Sequence, residues 1–210
     1  MTDRDLLLRT IAETGYNVIF GAKKTFATFD IVGKVPGWIG FGSFIIGTFA
    51  LFTESLAEKV PSALLLIAGV AALYFATYPT SEYEAAGKKL IGLHNRLRDL
   101  YRAVQGGGDI ASARSELSQI ESEYYTITVS RQIFLSDWYA HFKLFAQSQY
   151  GWMDEQLKFT WKDKIPLTAR IVAVAMILAV VLLLAAYGLQ TVVCPTGVDA
   201  SRGAISKPVQ

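Results

Sequence analysis

The chain has 210 residues, 52% of them hydrophobic and 18% charged, with a formal net charge of +2. That length suits one or two domains, yet the apolar residues gather into long uncharged blocks, a distribution foreign to a soluble globular protein. The near balance of charge and the single cysteine exclude both a polyanion-binding basic protein and a disulfide-stapled secreted domain.

In chain order, residues 1–37 interleave Leu7, Ile11, Val18, Ile19, Phe20, Phe26 and Phe29 with charges. This pattern predicts an N-terminal amphipathic segment of one or two helices, lying along the inner membrane face and meeting the bilayer near Val35–Pro36. The opening MTDRDLLLRTIAETG lacks the apolar stretch of a cleavable signal peptide, so the first span is expected to remain in the mature protein. Uncharged blocks follow from Trp38 to Thr53 and from Pro61 to Tyr78, and a third runs from Ile171 to Leu189. At 1.5 Å per residue they reach roughly 24 to 28 Å, close to the hydrocarbon thickness of a bilayer. The link Glu54–Val60 is too short for anything but a tight turn, so residues 38–78 read as a transmembrane hairpin. Small residues recur on its two arms: Ser43 and Gly47 on the first, Ala68, Ala72 and Ala76 on the second. Such spacing lets membrane helices approach closely, within one hairpin or between subunits.

Residues 79–165 change character. Leu90, Leu93, Leu97, Leu100, Tyr101 and Val104 mark one helix face, Gly106-Gly107-Gly108 ends that helix, and Asp109 is placed to cap the next. The second helix repeats Ile110, Ala113, Leu117, Ile120, Tyr124 and Ile127, which predicts an antiparallel helical hairpin with a common apolar seam. A further helix over about Ser130–Gln149 is rich in aromatics, including Phe134, Trp138, Tyr139, Phe142 and Phe145. The stretch Tyr150–Lys164 adds Trp152, Phe159 and Trp161 and is expected at the membrane surface, where Trp and Tyr are favoured. A third transmembrane helix occupies residues 166–190, and the polar tail 191–210 reads as disordered outside the membrane. The fold class is therefore an all-α membrane protein: a transmembrane hairpin, a helical domain with an aromatic-rich helix, and a third C-terminal span.

Lys and Arg set the orientation. With the N-terminus inside, Arg4, Arg9, Lys23, Lys24 and Lys34 and the twelve basic residues from Lys88 to Arg170 lie inside, and Lys59, Arg202 and Lys207 lie outside. Seventeen against three predicts a cytoplasmic N-terminus and helical domain.

The chemistry-bearing residues are few. The chain holds no Walker loop, G-x-S-x-G, H-E-x-x-H or C-x-x-C, so no enzyme, cofactor or metal centre is expected. His94 and His141 read as solvated or packed histidines and Cys194 as an incidental thiol beyond the last span. The spans carry no charge, which argues against a proton-coupled transporter but leaves open an oligomeric pore lined by Ser43, Thr48 and Thr53. The basic residues Lys23, Lys24, Lys88, Lys89, Arg96, Arg98 and Arg102 are candidates for contact with an anion, with anionic lipid or solvation favoured over a nucleotide because they are expected close to the bilayer.

The run from Tyr16 to Asp30, YNVIFGAKKTFATFD, directly before a Gly-rich hairpin and a charged helical region, resembles the SLATT family, the SMODS- and SLOG-associating two-transmembrane effector domains. The similarity covers roughly residues 5–165 and departs from the two-span pattern in the third span. It implies a membrane effector of a bacterial conflict system that assembles as a homo-oligomeric pore, triggered by a nucleotide-sensing or nucleotidyltransferase partner, with lipid and no nucleic acid as its other contact. A non-catalytic membrane scaffold that recruits a partner through its helical domain is the alternative.

Overall fold

The computed structural model describes residues 2–127, 129 and 131–193, with side chains to Ala185. Among the described residues there are seven α-helices, one 3-10 turn and no strand. The helices are α1 (Asp3–Ala50), α2 (Lys59–Ala76), α3 (Thr80–Gln105), α4 (Ile110–Thr126), α5 (Ser136–Gln147), α6 (Gly151–Leu157) and α7 (Leu167–Val193), with the 3-10 turn at Glu54–Leu56. The chain divides into two compact units, residues 1–166 and residues 167–210.

The axis of the first unit is α1, a single helix of 48 residues. It starts in a reciprocal cap: the Asp5 amide donates to Thr2 Oγ1 at 3.2 Å and the Thr2 amide to Asp5 Oδ2 at 2.7 Å. Thr10, Thr25 and Thr48 turn their hydroxyls back onto carbonyls four residues earlier. The helix runs through Pro36 without a break, although the chain was expected to change element near Val35–Pro36. What changes there is the environment. Up to Val32, one position after another is buried; from Gly33 to Ala50 none is.

The N-terminal half of α1 does not lie along a membrane face. Leu7, Leu8, Ile11, Val18, Ile19 and Ala22 form the centre of a helical head, packed against α3, α4, α5 and α6. The expected seam of α3 is buried as read: Leu90, Leu93, Leu97, Leu100, Tyr101 and Val104 are each at most 6% exposed. Ala113, Leu117 and Ile120 of α4 join it, but the main partner of α3 is α1, so the seam belongs to a core of several helices rather than to a two-helix hairpin. Two glycines fix how closely the helices approach. A Cβ on Gly87 would fall 2.8 Å from the Phe26 ring, and one on Gly15 would fall 2.4 Å from Trp152 Cη2, so neither position has room for a side chain without movement.

The turn between α3 and α4 follows the sequence closely. Gly107 has φ +97°, which only glycine adopts readily, and the Gly108 amide returns to the Ala103 carbonyl at 2.9 Å. Asp109 Oδ2 then accepts the Ser112 amide at 2.7 Å and caps α4.

The aromatic stretch before α7 is corrected by the structure. The helix expected from Ser130 to Gln149 spans only Ser136–Gln147, with Leu135 in the left-handed region ahead of it, and Ser130 lies outside the described residues. Tyr150, Trp152 and Phe159, expected at the membrane surface, pack into the head: Phe159 meets Tyr16 at 5.2 Å and Phe145 at 5.4 Å, and Trp152 meets Tyr101 at 5.2 Å. Met153 beside them is fully buried. Gly15, under Trp152, lies 18 residues before Gly33, roughly 27 Å along the helix from the point where burial stops. Aromatic density here builds a core, not a headgroup belt.

Within the second unit, α7 is apolar on every side, and its residues from Ile171 to Ala185 are all exposed. Cys194 and the rest of the tail lie outside the described residues.

Candidate functional site

Among the described residues three helices are long and apolar enough to cross a membrane: α1 through its C-terminal part, α2 and α7. None of the side chains of α2 is buried, and Phe41, Phe44, Phe49, Leu66 and Leu73 are among the large apolar groups standing free. Exposed apolar surface on this scale marks a lipid or helix contact. The bare part of α1 has α2 folded back beside it, and between them lies an almost wholly apolar gap of about 480 Å³ bordered by Trp38, Gly42, Ser43, Ile46, Leu64 and Ala68.

The small residues singled out in the sequence divide between two situations. Ser43 and Ala68 face each other across that gap, half-buried. Ala72 is also half-buried, whereas Gly47, Thr48 and Ala76 are exposed. Among the described residues a Cβ on Gly33, Gly37, Gly40, Gly42 or Gly47 would meet nothing within 4 Å, so no contact there requires a glycine at these places. The Thr48 hydroxyl donates to the Phe44 carbonyl at 2.8 Å and is satisfied within its own helix.

Where the bare helices join the head, polar and aromatic groups make a collar that the sequence reading missed. Asp30 pairs with both Lys34, at 2.9 Å, and Lys143. Burial works to raise the Asp30 pKa, and the hydrogen bonds and charges of Lys143 and Lys34 together overcome it, holding the carboxyl below its usual range. The guanidinium of Arg131 lies 4.3 Å from the Tyr78 ring centroid and 6.0 Å from that of Tyr74, while the Tyr83 hydroxyl donates to the Arg131 carbonyl. The only signal in the sequence was the clustering of Tyr74, Tyr78 and Tyr83; their common partner lies some 50 residues away.

The seven basic candidates do not form one patch. Lys24 pairs with Asp137 at 2.8 Å, Lys88 with Glu84 at 2.5 Å, and Arg96 with Glu123 at 2.8 Å across to α4. Lys23 is half-buried, and burial, with the charge of Lys143, lowers its pKa. Lys89 is exposed. Only Arg98 and Arg102 share a cavity. These two, with Arg96, lie 16 to 22 residues into α3, roughly 24 to 33 Å along the helix from its start beside the bare helices.

The histidines are separate. His94 Nδ1 lies 3.3 Å from the Gly15 carbonyl, and burial pushes its pKa down to about 4, so it is neutral at physiological pH and donates from Nδ1. His141 packs edge-on against Phe20 at 4.9 Å. Among the described residues no group of three or more His, Cys, Asp or Glu gathers into a metal site.

No curated protein and no solved structure matches the chain. A family model, SMODS and SLOG-associating 2TM effector domain 6, matches residues 1–173. The match takes in the whole head together with α1 and α2, the two spans the family's description calls for, and stops just inside α7, which the two-span pattern does not include. With an all-helical head, two apolar helices inside the matched region and more than four fifths of its length covered, the chain belongs to the SMODS and SLOG-associating 2TM effector domain family.

Proposed function

We propose that the chain is the membrane-disrupting effector of a bacterial conflict system, forming an oligomeric pore when a nucleotide-signal sensor or another partner triggers it. The observation that supports this reading is the contrast along α1. Its first half is partnered by the head, and its second half carries five glycines against which nothing packs among the described residues. In a membrane, such positions serve the close approach of another helix. The apolar gap between α1 and α2 adds space into which a neighbouring copy fits its side chains. On this reading the head and the N-terminus are cytoplasmic, the effector acts without catalysis, and α7 is an additional anchor.

The test is the membrane potential of cells that express the chain with its genomic neighbours. The wild type depolarises the cells on triggering, and Gly47→Leu, present at equal level in the membrane, does so weakly or not at all. A wild type that leaves the potential unchanged under triggering refutes the pore and leaves a scaffold. Reporter fusions at Asp5 and Gly107 read inside and at Ser201 outside; a reporter active outside at Gly107 refutes the orientation.

A further inference from the structure

We propose that the cavity between the last turns of α3 and the start of α6 binds a small soluble molecule carrying a phosphate and a free hydroxyl. The cavity holds about 330 Å³, at the small end of the range for metabolite sites. Arg98, Arg102 and Gln105 border it from α3, and Trp152 and Glu155 from α6. Arg98 and Arg102 are four residues apart and so share a helix face.

Two donors at this place have no acceptor. Arg98 Nε and the Trp152 indole Nε1 are both buried and make no hydrogen bond. The nearest carboxylate to Arg98, Asp99 Oδ1, is 3.6 Å away, beyond hydrogen-bond reach. Arg102 is exposed and has no ion pair among the described residues. Buried N–H groups left without acceptors are costly, and the chemistry that satisfies a guanidinium pair together with an indole N–H is an anion with several oxygens. Phosphate fits that description.

Glu155 supplies the second half of the recognition. Its Oε2 accepts from the Tyr101 hydroxyl at 2.9 Å and from Gln105 Nε2 at 3.4 Å. Oε1 has no hydrogen-bond donor among the described residues and is left to accept one from a guest. Inorganic phosphate can donate to it only from one of the oxygens that would otherwise meet the two guanidinium groups and the indole, whereas a sugar phosphate presents the anion and a separate hydroxyl. Arg98 and Arg102 lie roughly 27 to 33 Å along α3 from its start beside the bare helices, which favours a soluble source of the phosphate over a headgroup of the same membrane. The site belongs to the head alone, so it stands whether or not the bare helices form a pore.

The experiment uses the full chain in nanodiscs of zwitterionic phosphatidylcholine, with its tryptophan indoles labelled with ¹⁵N. Trp152→Phe assigns the Trp152 indole signal. At constant ionic strength, ribose 5-phosphate should move that signal saturably, inorganic phosphate should do so at higher concentration, and ribose or chloride should leave it in place. Arg102→Gln, an exposed position, should weaken the ribose 5-phosphate response at least tenfold while the other indole signals keep their positions. Lys89→Gln, exposed elsewhere on α3, should change nothing. No saturable movement with either phosphate compound, or an unchanged response in Arg102→Gln, overturns the site. Equal affinity for inorganic phosphate and ribose 5-phosphate overturns the part assigned to Glu155.

Discussion

The two halves of α1 use the same residue types to different ends. In the head, Gly15 is small because the Trp152 ring lies against it, and Gly87 across the interface is small because of Phe26. In the bare half, Gly33, Gly37, Gly40, Gly42 and Gly47 have no neighbour among the described residues to explain them, and Trp38, Phe41, Phe44, Ile45 and Ile46 between them are large, apolar and exposed. A glycine in a helix interior costs about 0.5–1 kcal/mol relative to alanine, so five of them without a contact in the first unit point to a partner outside that unit. One helix thus joins a region whose packing is complete to a region whose packing is not. The teaching is that small-residue spacing alone does not say where the partner is; the empty space around each glycine does.

The largest effect that sharpens this contrast is Leu117→Asp. Leu117 is 6% exposed in the core shared by α1, α3 and α4, and placing a carboxylate there costs several kcal/mol unless it is neutralised. Hydrogen exchange should lose its protection across residues 85–127 and over the first half of α1, while the bare half keeps its protection from the membrane. Unchanged exchange in the head would break the claim that this seam holds it together.

A second effect of about 3 kcal/mol comes from pH. The ordinary histidine value is 6.5, and burial lowers that of His94 to about 4, so the unfolded chain takes up a proton that the folded head resists. The stability this gives the head is fully present above pH 6.5 and is lost progressively as the pH falls toward 4. Denaturant melts of the head between those values should show the loss, and His94→Gln should flatten the curve. Asp30 acts in a separate, lower window: its depressed pKa contributes stability above about 3.8 that disappears in stronger acid.

Smaller again is the pair Gly15→Ala and Gly47→Ala. The first drives a methyl to 2.4 Å from Trp152 and should destabilise the head by about 1–3 kcal/mol, read as a lower melting temperature. The second meets nothing within 4 Å and should leave that melting temperature unchanged. Equal effects would erase the distinction between the two halves.

Much of this was legible in the residues. The seam Leu90 to Val104, the Gly106–Asp109 turn and the three uncharged blocks are local patterns, and each maps onto an element the structure contains. The errors arose where the partner is distant. Leu7, Ile11 and Val18 have helical spacing, but spacing does not tell a membrane surface from the inside of a head, and only α3 and α6 settle it. Trp152 and Phe159 differ from expectation for the same reason: closeness to α7 in sequence does not show that their partners are Gly15 and Tyr16 on α1, some 27 Å along that helix from the point where its burial stops. The Arg98 and Arg102 cavity was half legible, since their spacing shows a common face, while Trp152 and Glu155 come from another helix.

The central claim, that the first half of α1 is partnered within the chain and the second half by a neighbouring copy, is tested most directly by disulfide crosslinking in native membranes. Cys194 is replaced by serine, and single cysteines are placed at Gly40 or Gly47 on α1, at Lys24 in the head, and at Leu66 or Leu73 on the exposed face of α2. The account predicts a covalent dimer on mild oxidation for Gly40→Cys and Gly47→Cys and none for the positions in the head or on α2. Monomer alone at both glycine positions, or dimers of equal yield at every site, would contradict it.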